Sequence, residues 1–147
     1  MGVRCWGDRY AYVVLSGSKE TPVLVASKHV RLLVNANRGE QLSGFRQDLY
    51  DILTQHQVEA ACFKCHEPIA QTKSVPRGEL EGVLQETCFS HRPSVPVLGR
   101  TFKQLKSVLQ FGGAANHVVQ AADCSEFSKL GKTNFAEAIV AALASLV

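Results

Sequence analysis

The sequence predicts an α/β fold: a mixed five-stranded sheet, a three-stranded antiparallel meander plus two parallel strands, with helices covering both faces. Three observations predict it. Three β-rich runs open the chain, separated by short polar turns. Two later apolar runs are each followed by a helical pattern, and strand–helix–strand alternation implies right-handed parallel crossovers. The run Val58, Ala60, Ala61, Cys62, Phe63 is continuously apolar, as expected of a strand buried on both faces.

The first two strands are expected at Val3 to Trp6 and Tyr10 to Ser16, joined through Gly7-Asp8-Arg9, and the third at Val23 to Val34 after a turn containing Gly17, Ser18 and Pro22. Residues 35–40 form a loop. Leu42, Phe45, Leu49, Ile52 and Leu53 then recur at helical spacing, with Arg46, Gln47, Asp48 and Gln55 facing out. The central strand leads through a polar loop, 64–77, into a helix with Leu80, Val83, Leu84 and Cys88 on one face. Val95 to Leu98 is a short strand ended by Gly99, and Thr101 N-caps a helix carrying Phe102, Leu105 and Leu109. Residues 111–132 show no period and read as a surface loop, with a lid or partner-binding loop as the alternative. Asn134 to Leu146 is strongly helical, and Asn134 with Glu137 has the spacing of a capping box.

A chain of 147 residues with 46% hydrophobic and 20% charged residues suits one domain, 1–147, with one substantial core. It has no membrane span and no signal pattern, so cytoplasmic residence is expected. Five cysteines on apolar stretches read as buried free thiols. A formal charge of +3 permits nucleic-acid contact without requiring it.

Cys62-Phe63-Lys64-Cys65-His66 matches the haem-attachment pattern C-x-x-C-H, but that chemistry normally requires export. Cys62 and Cys65 with Cys88 and His91 have acceptable zinc spacing. The first two point to opposite faces of a strand, however, and a helix of about 12 residues carries Cys88 roughly 18 Å away. Adjacent Cys65 and His66 point apart and cannot form a nucleophile–base pair without a bend.

The predicted order of strands and helices is that of the ribonuclease H-like fold. FRQDLYDILTQHQVEAACFK, GELEGVLQ and NFAEAIVAAL resemble segments of an uncharacterised family of small bacterial proteins related to the Holliday-junction resolvase RuvC. The resemblance implies acids on the first strand, at the end of the fourth and on the last helix, holding two Mg²⁺ about 4 Å apart. The matching positions here are Cys5, or Trp6 with a one-residue slip; Lys64 or Cys65; and Asn134 or Glu137. Mg²⁺ needs carboxylate oxygens, so most of these cannot serve.

Two readings follow. In the first, the domain is a non-catalytic binding or adaptor protein with no metal or other cofactor. Lys64, His66, Lys73, Arg77, Arg100 and Lys103 then form a positive rim that holds phosphate groups of nucleic acid weakly and without sequence preference. In the second, it is a nuclease using Asp8, Glu67 and Glu137 with Mg²⁺ or Mn²⁺. The apolar surplus of the final helix (Ala138, Val140, Ala141, Ala142, Val147 beside Phe135, Ile139, Leu143, Leu146) further predicts a homodimer through that helix.

Overall fold

The computed structural model describes residues 1–67, 74–110 and 135–146. Its strands are β1 (Gly2–Cys5), β2 (Arg9–Gly17), β3 (Pro22–Arg31), β4 (Ala61–Lys64) and β5 (Val97–Arg100), in the spatial order β3-β2-β1-β4-β5. β2 is antiparallel to β1 and β3, whereas β4 is parallel to β1 and β5. This is the mixed sheet expected from the sequence. The helices are α1 (Arg38–Gln55), α2 (Val75–Ser90), α3 (Phe102–Val108) and α4 (Ala136–Leu143).

Side-chain alternation divides the core into two layers. On one face Val3, Cys5, Tyr10, Tyr12, Val14 and Phe63 meet Phe45, Leu49 and Leu53 of α1 and Leu80, Leu84 and Cys88 of α2. On the other, Val13, Leu15 and Cys62 meet Leu105 of α3 and residues 138–142 of α4. β2 lies between both layers, which is why six of its consecutive residues are buried. Asn37 and Thr101 begin α1 and α3 with capping boxes, and Ser74 caps α2. Arg38 ties the starts of α1 and α2 to the β1–β2 turn: it pairs with Glu79 at 2.7 Å and donates to the carbonyls of Gly7, at 3.0 Å, and Pro76.

The boundaries depart from expectation where packing overrules a local cue. Gly99 lies inside β5 instead of ending it, because a Cβ there would stand 2.7 Å from Cζ of Phe63; the missing side chain makes room for that ring. β4 begins only at Ala61, since the Val58 amide is already bonded to Leu53 at the end of α1. Arg31 is the last residue of β3. Asn134 and residues 111–132 lie outside the described residues, so the predicted cap and the possible lid do too. Phe135 occupies the N-cap position of α4 without a side-chain bond.

Ala138, Ile139, Val140, Ala141 and Ala142 of the last helix are all buried, and the helix packs against β1, β2 and β4. Its seat depends on Gly2, where any Cβ would overlap the Ala138 carbonyl and the Ala142 backbone nitrogen. Gly2→Val should therefore displace α4 and cost about 2–3 kcal/mol, an overpacking penalty readable by urea denaturation. Unchanged stability would mean that α4 does not approach β1 this closely.

Candidate nucleic-acid interface

Strand register gathers the basic residues into a row that no local motif announces. Arg9 is paired with Arg31, and Lys64 with Arg100. Val3 is paired with Phe63, so Arg4, the next residue, stands beside Lys64. The carboxyl ends of β1, β3, β4 and β5 share one edge of the sheet with the start of β2, so every strand contributes one cation to that edge. Alternation also puts all five on the α4 face: Arg4 is two residues from Gly2, Lys64 two from Cys62, and Arg9 four from Val13. Arg31 and Arg100 follow their register partners.

Three carboxylates near this edge are each committed to a cation. Arg4, with a side chain only 14% exposed, forms an ion pair with Glu137 of α4 and donates to the Cys5 carbonyl at 3.1 Å. Burial pulls the Arg4 guanidinium below its ordinary value, and Glu137 opposes that pull. The buried Lys64 ammonium reaches Glu67 at 2.9 Å, donates to the Cys65 carbonyl at 2.6 Å and lies 4.2 Å from the Phe102 ring centre. Arg77, buried on α2, pairs with Glu81 at 2.6 Å and donates to the Lys64 carbonyl. For Glu67, burial works to raise the pKa, but the Phe102 amide at 2.9 Å and the Lys64 ammonium together hold it below its usual value. Its position also places negative charge at the start of α3, where the helix dipole favours it.

These contacts separate the predicted phosphate ligands. Lys64 and Arg77 are internal, engaged with carboxylates and carbonyls. Lys103 is exposed and Arg100 half-buried, with an Nε that has no hydrogen-bond partner among the described residues. His66 is half-buried beside Ser74, and Lys73 lies outside the described residues. The three acids of the nuclease reading are not brought together. Asp8 stands exposed between Arg9 and Arg31, at 3.6 and 3.8 Å, Glu67 is on Lys64 and Glu137 on Arg4. Among the described residues, no group of three or more His, Cys, Asp or Glu side chains could hold a metal ion.

Cys5 belongs to the opposite layer, packed towards α1 and α2, so the slipped register with Trp6 describes the α4 face better. Burial, reinforced by nearby Glu81, pushes the Cys5 thiol up to about 12. Burial likewise moves Cys62 and Cys88 up to about 11, leaving all three protonated and structural. His91, proposed beside Cys88 as a zinc ligand, instead meets Thr54 Oγ1 at 3.1 Å and the Pro93 carbonyl at 2.9 Å.

Sequence reasoning did not select Arg4, Trp6, Arg9, His29 or Arg31. The Trp6 ring lies 5.1 Å from the Arg4 guanidinium and 5.2 Å from that of Arg9, and meets the His29 imidazole edge-on at 5.8 Å. The available signal was an aromatic residue flanked by two arginines, Arg4 two residues before it and Arg9 three residues after it across the two-residue Gly7-Asp8 turn.

The sheet order and flanking helices define a ribonuclease H-like α/β fold. The chain is similar over 97% of its length to the Thermus thermophilus RuvC structure, with a TM-score of 0.74, 17% identity and 90% of that chain covered. It matches T. thermophilus RuvC in complex with Holliday junction substrate equally well, with a TM-score of 0.74, 17% identity and 88% of that chain covered. At this identity the likeness establishes the fold. No family model matches the chain, and no curated protein matches it significantly.

Two outcomes test this network. Arg77→Met strands the buried Glu81 carboxylate and should lower stability by about 3–5 kcal/mol, whereas Arg77→Met with Glu81→Leu should recover most of it. Urea titrations in which the double variant is no better than the single one would refute the pairing. His66 Nε2 accepts the Ser74 amide at 3.3 Å, and burial together with Arg77 lowers its pKa although Glu81 opposes them. As pH falls through 6.5 the unfolded chain takes the proton first, so this stabilisation is present above that pH and lost below it. NMR should place the His66 midpoint below 6.5, with the Ser74 amide shift following it. A midpoint at or above that of a free imidazole would contradict the contact.

Proposed function

We propose that this chain is a non-catalytic nucleic-acid-binding domain that holds phosphate groups with side chains and no metal or other cofactor. The observation that carries the reading is the row Arg31, Arg9, Arg4, Lys64 and Arg100, one cation from each strand along one edge of the sheet. Its five positive charges face the carboxylates of Asp8, Glu67 and Glu137, so the edge has an excess of positive charge. One solved neighbour, T. thermophilus RuvC, is in complex with Holliday junction substrate. In open α/β sheets ligands bind beyond the carboxyl ends of the strands, which is this same edge.

The donor set does not suit the two-metal chemistry that the fold hosts elsewhere. A divalent cation binds unpaired carboxylate oxygens, whereas a cation entering here would meet Arg4, Lys64 and Arg77, already paired with the acids it needs. The buried cations organise the edge, and the more exposed Arg9, Arg31, Arg100 and Lys103 make the phosphate contacts. Contacts of this kind are independent of sequence. Their small number makes binding weak.

Fluorescence anisotropy with labelled branched, duplex and single-stranded DNA tests the proposal. Affinity should fall with salt with a log–log slope of about −2 to −3, corresponding to a few phosphates, and should be no weaker in EDTA than in Mg²⁺. Arg31→Glu with Lys103→Glu should weaken binding at least tenfold. Binding that is indifferent to both salt and this double change would refute the row as the site. Mg²⁺- or Mn²⁺-dependent cleavage lost in Glu137→Gln would replace the proposal with the nuclease reading.

A further inference from the structure

We propose that Trp6 is a stacking subsite for one unpaired base of a single-stranded nucleic acid, with Arg9 and Arg31 taking the adjoining phosphate; this rests on the nucleic-acid reading above. Trp6 is the chain's one tryptophan, yet it belongs to neither core layer. It is half-buried at the carboxyl edge of β1, and among the described residues its ring lies against Arg4, Arg9 and His29. A large indole surface is thus placed within the cationic row instead of in the interior, where its burial would contribute most to stability.

The two arginines against the ring are held very differently. Arg4 is 14% exposed and locked by Glu137 and the Cys5 carbonyl. Arg9 is 36% exposed, and beyond the ring its carboxylate contact is Asp8, a loose pair at 3.6 Å. Arg4 is therefore the fixed neighbour of the indole, and Arg9 the exchangeable one. An exposed cation–π contact is weaker than the stacking of a nucleobase on an aromatic ring, so an unpaired base can take the place of Arg9. The released guanidinium remains beside Arg31, its partner across β2 and β3, and the two cations can face a phosphate of the same nucleotide.

His29 adds a polar edge. Its Nε2 is buried and has no hydrogen-bond partner among the described residues, while its ring touches Trp6 edge-on. It therefore adds an aromatic and polar group beside the indole. The pocket requires a single strand, because a base inside a duplex has both faces covered by its neighbours. The Gly7–Asp8 turn that carries the site is tied down by the Arg38 guanidinium on the Gly7 carbonyl and by the Leu32 amide on the Asp8 carbonyl.

Because Trp6 is the sole tryptophan, its intrinsic fluorescence reports the site directly. The wild-type chain is titrated at low salt with a short oligothymidylate and, separately, with a blunt duplex. Anisotropy of labelled strands is measured in parallel. The expected result is quenching by the single strand without equivalent quenching by the duplex. Trp6→Leu should weaken single-strand binding about tenfold while leaving duplex binding unchanged, and Trp6→Phe should restore most of the loss. Single-strand binding without quenching, or equal quenching by the duplex, overturns the subsite but leaves the phosphate row intact. Absence of binding to either nucleic acid overturns the subsite and the reading on which it rests. Should Trp6→Leu fail to fold, the wild-type titration decides alone.

Discussion

A charge removed from water must be compensated where it sits, and that requirement organises the carboxyl edge of this sheet. Arg4 points into the narrow space between β1 and α4, a space set by the absence of a side chain at Gly2. At that separation α4 can deliver Glu137 onto the guanidinium, and burial then strengthens their attraction. The same logic holds Lys64 on Glu67 and Arg77 on Glu81. Each pair contributes little beyond a well-packed apolar substitute, but removing one partner exposes the full desolvation cost of the other. The pairs therefore define one arrangement of strands and helices more than they add to total stability.

Much of the fold was legible because its elements carry long, consistent patterns. The spacing of Phe45, Leu49, Ile52 and Leu53 and that of Leu80, Leu84 and Cys88 describe helices whatever lies around them, and both helices bury those residues. Short strands were harder. β5 has four residues, and Gly99 reads locally as a stop although its actual role is to admit the Phe63 ring. The partner of Glu137, Arg4, lies at the opposite end of the chain, so no neighbour in sequence announces the pair.

The site was less legible than the fold for a related reason. Lys64 and Arg77 looked like surface cations because lysine and arginine usually are, and only the three-dimensional pairing reveals them as interior groups. The row from Arg31 to Arg100 depends on register across five strands, and no window of sequence contains it. One basic residue near the end of a strand is unremarkable. The recurrence of one on every strand becomes visible only after the strands are aligned.

The distinction between buried and exposed cations also explains how one edge can be both rigid and adhesive. Arg4, Lys64 and Arg77 are each ion-paired and cannot turn towards a ligand without stranding a carboxylate. Arg9 and Arg31 share a single exposed carboxylate, Asp8, through contacts of 3.6 and 3.8 Å, and pairs of this kind are worth little in water. A phosphate can replace Asp8 as their partner at small energetic cost, while the paired cations beneath keep the backbone and the Trp6 ring in place. The two classes of contact thus divide the work: the desolvated pairs hold the edge in one shape, and the loosely held arginines are the part of it that can exchange partners.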